Sequence, residues 1–447
     1  MADASIGYAE LLRSHKDFRR LWLGNVVSFA GDWFNTIALY TAVQALSSNA
    51  QAIAAVMVAK MLPPFLVAPL VGPLVDRIDR RLVLVFTDLA RAACVAGLVL
   101  SYLFASIAGL YASTVVLMAL GGLALPAKNA VLPMVVPRRH LAVANALGSG
   151  TWSAMLALGA ALGGVATQSL GVAPAFLLDG LTFLLAAALF YGLPSLCPPG
   201  RSSGGAVGFR NGLRYLSSHR YVLVLTCIKP TLGMLGGMLV LIPLLGNGAF
   251  EGQSGPLFVG LLFAARGLGA VVGSVGVRLL DVSEPAAMRR AVVGGFAIVG
   301  VSYLALSRVD AFWPAAACLF AAMLGNNTVW VFSGTLLQLE ADRAYHGRVF
   351  AVEFGTMTLL MAVSSWGAGA AVDAGIGLST VAAVGGVMGV AAASVGIIVQ
   401  TIFEASLKRS AALRLLPNDA PSGDLHELAR SRPGLEQERA DTKQAST

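Results

Sequence analysis

The sequence predicts an all-α membrane protein of twelve transmembrane helices, arranged as two pseudo-symmetric six-helix bundles. Three observations carry this expectation. First, apolar runs of 18 or more residues recur from Leu21 almost to the C-terminus, in a chain of 447 residues that is 57% hydrophobic and 12% charged. Each run can cross a hydrocarbon core of about 30 Å as a helix. Second, the runs are continuous rather than alternating, which excludes a membrane β-barrel. Third, basic residues collect in every second connection, as the positive-inside rule requires of a multi-pass protein.

The elements follow in order. Residues 1–19 are polar and amphipathic, and no secretory leader is expected. The first bundle, 20–193, contains spans at 20–45, 50–74, 82–105, 108–130, 142–168 and 172–193. Arg13, Lys16, Arg19 and Arg20 precede span one; Arg77, Arg80 and Arg81 follow span two, and Arg138 and Arg139 follow span four. The connection 194–220, "PSLCPPGRSSGGAVGFRNGLRYLSSHR", begins as a Pro/Gly/Ser-rich linker and ends as a short basic amphipathic helix. The second bundle, 221–402, contains spans at 221–246, 255–280, 290–307, 311–336, 348–373 and 377–402. Arg289 and Arg290 follow span eight, Arg343 follows span ten, and Lys408, Arg409 and Arg414 follow span twelve. The opposite connections hold a single basic residue, Arg308, so both termini are expected in the cytoplasm. The charged residues 403–447 read as a cytoplasmic, partly disordered tail.

Composition also narrows the function. The net charge of +8 lies in connections, where topology explains it without nucleic acid. Cys94, Cys197, Cys227 and Cys318 are scattered without paired spacing, so neither a disulfide framework nor a metal site is expected. No G-x-x-x-x-G-K-[ST] loop occurs, which disfavours an ATP-driven pump. No enzymatic activity and no cofactor are expected. Two six-span halves suggest a secondary transporter with its site between them near the midplane.

The loop "GPLVDRIDRR" between spans two and three resembles the signature loop of the major facilitator superfamily, with Gly72, Asp76, Arg77, Arg80 and Arg81 at the matching positions. The resemblance covers nearly the whole chain and narrows to the drug and siderophore exporter branch, the macrolide efflux proteins and enterobactin exporters. "FRRLWLGNVVSFAGDWFNTIAL" (18–39) looks like that branch's first helix, and "LPAKNAVLPMVVPRRHLAVANALGSG" (125–150) its connection of spans four and five, with Lys128 where Arg is usual. "TLLQLEADRAYHGRVFAVEFG" (335–355) resembles the start of span eleven. In span five "LGAALGGVA" keeps Gly159, Gly163 and Gly164 but has Ala160 in a position that the branch gives to proline. The resemblance implies that Asp76 caps the start of span eleven while the loop arginines tie neighbouring helix ends together. That latch forms in one conformation and breaks in the other. Glu353, about a turn and a half beyond Gly347, is expected to join it with Arg348 and the loop arginines.

Charged residues inside spans are costly and need a partner, a cavity or a role. Asp32 lies about 18 Å into span one, near mid-depth. It is expected to couple proton movement, or to pair with a cation on another helix. Lys229 on span seven and Arg266 on span eight suggest attraction for an anionic or carbonyl-rich substrate; alternatively Lys229 neutralises Asp32 across the cavity. Asp88 and Arg91 share a helix face and read as a packing pair, and Asp179 as structural. Lys60 either snorkels or faces the cavity. Trp33, Asn326, Asn327 and Trp330 are candidates for a mostly apolar substrate cavity with a few polar groups.

The expected function is proton-coupled efflux of a small amphipathic compound, a drug, macrolide-like antibiotic or siderophore, by a monomeric multi-pass antiporter of a bacterial cytoplasmic membrane. The partners are the substrate, protons and the lipid bilayer, with no nucleic acid. A lysophospholipid or lipid translocator of the same fold is the alternative within transporters, and a non-transporting membrane receptor the alternative outside them.

Overall fold

Short connections dictate the layout. In the computed structural model, α1 (Tyr8–Ser14) leads into α2 (Lys16–Leu46), and three residues separate α2 from α3 (Ala50–Val75). So short a link can only return the chain antiparallel. The same alternation continues through α4 (Arg80–Leu103), α5 (Ile107–Val135), α6 (Leu141–Leu170) and α7 (Val172–Tyr191). After the long connection come α8 (Arg220–Thr226), α9 (Ile228–Met234) and α10 (Met238–Gly246), which together form one interrupted span, then α11 (Pro256–Leu279), α12 (Pro285–Leu306), α13 (Phe312–Glu340), α14 (His346–Asp373) and α15 (Leu378–Arg414). The structure describes residues 7–75, 78–196, 214–248, 250, 252–279, 284–342 and 345–414. Residues up to Ser394 form one compact unit, and α15 continues from Val395 into a second.

Eleven helices among the described residues are long and apolar enough to cross a membrane, one fewer than expected. The missing one is α2, which holds the expected first span. At 31 residues it measures about 46 Å, ample for a crossing. Its hydropathy is lowered by Lys16, Asp17, Arg19, Arg20 and Asp32, and by the buried Asn35 and Thr36. Elsewhere the helices overrun the expected limits: α5 ends at Val135 instead of 130, and α15 at Arg414 instead of 402. Span seven is broken where Pro230 offers no N–H to the Thr226 carbonyl one turn earlier.

Helices α2 to α7 pack chiefly on one another, as do α9 to α14, and the two groups meet where α6 packs on α11 and α3 on α14. Burial along α2 shows where they close. In its first half only the stripe Phe18, Leu21, Gly24, Ser28, Gly31 and Asn35 is buried, with Gly24 and Gly31 set against Phe190 and Thr182 of α7. From Asn35 to Tyr40 every residue is buried, so the helix is surrounded. The interrupted span behaves alike: Leu235 to Met238 and Val240 to Pro243 are all buried. At the opposite end of α6, Gly148, Ser149 and Gly150 are all exposed, although consecutive residues point in different directions around a helix. The groups therefore clasp at the upper end, where α2 finishes, and part at the lower end, where it begins.

The upper seam depends on close backbone approach. A Cβ at Gly260 of α11 would stand 2.5 Å from the Ala160 carbonyl oxygen of α6, and one at Gly164 would stand 3.1 Å from the Gly260 Cα. Tyr40 stacks on Phe263 at 6.0 Å between ring centres, and Gln44 Nε2 donates to the Pro243 carbonyl at 3.2 Å. Gly260→Val is expected to wedge this seam apart at a cost of about 1–3 kcal/mol. Faster labelling of a Gln44→Cys probe by a membrane-impermeant maleimide, in a background without native cysteines, measures the opening.

Candidate functional site

The first helical group encloses a charge cluster centred on Arg91. The i, i+3 spacing on α4 places its guanidinium 3.6 Å from the Asp88 carboxylate, and it also stands 2.6 Å from Asp32 of α2. It donates to Ser28 Oγ at 3.4 Å and lies 4.0 Å over the Phe183 ring of α7. Asn35, one turn above Asp32, donates to Asp179 of α7 at 2.8 Å. Lys60 of α3 donates to Thr36 Oγ1 at 2.5 Å, and the Thr36 hydroxyl donates to the Asp32 carbonyl at 2.6 Å. Lys128 lies over the Phe29 and Phe190 rings at 5.7 and 5.5 Å, with Asp88 and Asp32 as electrostatic neighbours. Three carboxylates thus face three cations. The Asp32 side chain is 33% exposed, against 1% for Asp88 and 5% for Arg91.

The second group distributes its charges differently. The break in span seven carries Lys229 to Glu353 of α14, 2.7 Å away and equally buried, with the Trp330 ring 5.1 Å from the ammonium. The same seam is drawn tight by Ser364, whose hydroxyl donates to the Gly233 carbonyl and accepts from the Gly237 N–H. Lys229 therefore meets Glu353 rather than Asp32, and Glu353 meets Lys229 rather than the loop arginines. Arg348 instead stacks over Tyr345 at 5.2 Å. Arg266 on α11 has no carboxylate against it among the described residues. Its guanidinium approaches Met323 Sδ at 3.6 Å and shares a cavity of about 50 Å³ with Asn326, Tyr303 and Leu235. Asn327, one residue on, turns away to donate to Ser274 at 3.0 Å. Trp33 lies on the far face of this region, 5.4 Å from the Phe263 ring.

A helical bundle with a one-sided opening and a charged interior has known counterparts. Residues 21–365 match the Major Facilitator Superfamily. The chain belongs to that superfamily. It is 28% identical over 390 residues to the uncharacterized MFS-type transporter Rv0037c of Mycobacterium tuberculosis, covering 79% of this chain and 84% of that one. It is 27% identical over 224 residues to the uncharacterized MFS-type transporter YfiS of Bacillus subtilis, 48% of this chain and about half (52%) of that relative's length. Among solved structures, the nucleoside transporter NupG superposes with a TM-score of 0.67 at 11% identity, covering 86% and 99% of the two chains. The human organic anion transporter MFSD10 gives 0.62 at 16% identity, with 85% and 98% covered. These likenesses are of fold.

In this superfamily member the signature loop is partly visible. Asp76 and Arg77 lie outside the described residues, and Gly72 falls within α3. Asp79, which the sequence reading passed over, caps α4 by accepting from the Arg81 N–H at 2.9 Å. It also accepts from Ser195 Oγ at 2.6 Å and the Leu196 N–H at 3.0 Å, and Arg81 lies 4.6 Å over the Tyr191 ring. The loop thus ties the start of α4 to the end of α7. Burial pushes the Asp79 carboxyl up, but the hydrogen bonds from Ser195, Leu196 and Arg81 outweigh it and hold the group below its ordinary value. A depressed carboxyl stabilises the fold above its unfolded pKa, and that contribution is lost as pH falls through the folded one. The thermal midpoint should therefore drop in Asp79→Asn at neutral pH, and the difference from the unaltered chain should close below about pH 4.

At the upper end a second carboxylate joins the two groups. Asp373, the last residue of α14, accepts from the Ala50 and Gln51 N–H groups at 2.7 and 2.9 Å, capping α3 across the interface. Asp373→Ala is expected to cost the closed upper end about 1 kcal/mol, a roughly fivefold shift toward opening. Electron-spin distances between labels at Ser48 and Gly248 would show the long-distance population rising.

Proposed function

We propose that this transporter exports a small amphipathic compound, a drug, macrolide-like antibiotic or siderophore, in exchange for protons. It works from a bacterial cytoplasmic membrane with both termini in the cytoplasm, by rocking the six-helix halves 20–193 and 221–402 about the cavity between them. The observation that carries this reading is the position of Asp32. Its carboxylate is 33% exposed, bonded to Arg91, and placed where α2 passes from one-sided to all-round burial. That partial exposure, on the stretch of α2 nearer the lower opening, supports a carboxylate that exchanges protons from that side.

Protonating Asp32 removes its charge from Arg91, which still has Asp88 3.6 Å away. The cluster then carries one more positive charge, and the balance between the closed-above and closed-below states changes by the difference in how each holds that charge. One proton entering down about 100 mV contributes ~2.3 kcal/mol, and one pH unit ~1.4 kcal/mol. Together these sustain a substrate gradient of roughly a few hundred-fold.

Inverted vesicles with an acid interior test the reading. Asp32→Asn should abolish gradient-driven accumulation of substrate while leaving exchange of labelled for unlabelled substrate without a gradient. Accumulation equal to that of the unaltered chain would remove Asp32 from the coupling.

A further inference from the structure

We infer that the cavity beside Arg266 binds the anionic group of the transported compound, which makes the substrate an organic acid with an apolar body. The inference rests on the transport reading above and narrows its substrate class. Three observations support it.

The first is charge. Among the described residues well inside the helices, every other cation has a carboxylate neighbour: Arg91 has Asp32 and Asp88, Lys229 has Glu353, and Lys60 and Lys128 face the aspartates of the first group. The titratable groups beside Arg266, among the described residues, are the phenols of Tyr303 and Tyr40, not carboxylates. An uncompensated guanidinium at that depth is expensive, and an anion removes the cost.

The second is hydrogen bonding. Arg266 and the Asn326 amide both donate to the same acceptor, Met323 Sδ, at 3.6 and 3.8 Å. A thioether is a weak acceptor and satisfies neither donor. Nearby, the Tyr40 hydroxyl is buried with no hydrogen-bond partner. The site gathers donors and, among the described residues, no carboxylate, a composition that a ligand carboxylate or sulfonate completes, bidentate on arginine.

The third is shape. The cavity of about 50 Å³ also has Leu232, Leu235 and Met361 in its wall. It takes a few heavy atoms, an acidic head with the first carbons behind it, so the rest of the compound must lie outside. Arg266 is only half-buried, which leaves part of its surface for a ligand.

The test uses the full chain in lipid nanodiscs and three probes of one shape: 1-naphthoate, 1-naphthalenemethanol and 1-naphthylmethylamine. Equilibrium dialysis should find naphthoate bound at least about tenfold more tightly than the alcohol, with the amine weakest. Arg266→Gln should erase that order, while Arg266→Lys should retain part of the preference. Equal binding of the three probes to the unaltered chain overturns the inference, as does full naphthoate affinity in Arg266→Gln. Chloride binding without naphthoate binding also overturns it, in favour of an inorganic anion. If Arg266→Gln does not fold, the probe order in the unaltered chain and in Arg266→Lys decides. Naphthoate binding is read at equilibrium without a proton gradient, whereas coupling is read from gradient-driven accumulation in vesicles, so failure of the proton-coupling reading and failure of the anion site are read separately.

Discussion

The interior of the first half depends on Arg91. A guanidinium at that depth draws Asp32 and Asp88 to itself from two helices and, with Phe183 beneath it, binds α2, α4 and α7 into one body. The carboxylates depend on it equally. Both oxygens of Asp88 are buried without a hydrogen-bond partner, so charge alone holds them. Losing one member of such a buried set commonly costs about 3–5 kcal/mol, because the remaining charges are left uncompensated. Lys60 and Lys128 bring the cluster to balance, and balance is what allows so many charges to lie inside apolar helices.

Much of the helix order was legible in the sequence because hydropathy reports what lipid demands of a backbone. The exception is informative. The helix α2 escapes the apolar criterion because it carries the charged and polar residues that the other helices pack around. Residues that share a helix were readable too: Asp88 and Arg91 follow from i, i+3 geometry. Pairing between helices was not readable, since it depends on helix rotation, which hydropathy barely constrains. Hence Asp32 was offered Lys229 as a partner and Glu353 the loop arginines, whereas Asp32 meets Arg91 and Glu353 meets Lys229. Lys128 was noticed only as an exception to a motif, because span four was ended at 130, two residues beyond it. Asp79 left a signal that went unused: an acidic residue immediately before a long apolar run is an N-cap signature.

The upper closure and the lower opening have different physical characters. Above, backbones meet at glycines, and Gln44 and Asp373 reach across to the opposite half. These contacts are short, specific and few, so a small change in free energy can exchange them for others. Below, the Asp79 tie stays within the first half, from α4 to the chain after α7. It stiffens that half without joining it to the other. The rocking motion proposed above would part these halves above and close them below as two stiff bodies, provided that the interior charges tolerate both arrangements.

That proviso separates the roles of the two halves. In the first half Asp32 is the most exposed of the three carboxylates, at 33%, while Asp88 and Asp179 are sealed at 1% and 0%. In the second half Lys229 and Glu353 are both sealed, at 7% and 2% exposure, and form a fixed strut. On the transport reading and the anion site proposed above, variable charge is confined to Asp32 on one side and to the substrate at Arg266 on the other. With an acidic substrate, inward movement of a proton and outward movement of an anion carry charge in the same electrical direction. Each charge moved across about 100 mV is worth ~2.3 kcal/mol, so a one-for-one exchange draws on the membrane potential twice. A neutral substrate draws on it once, and a monovalent cationic one not at all. Arg266, with no carboxylate against it among the described residues, and a partly exposed Asp32 in the first half make up the charge arrangement from which that advantage would follow.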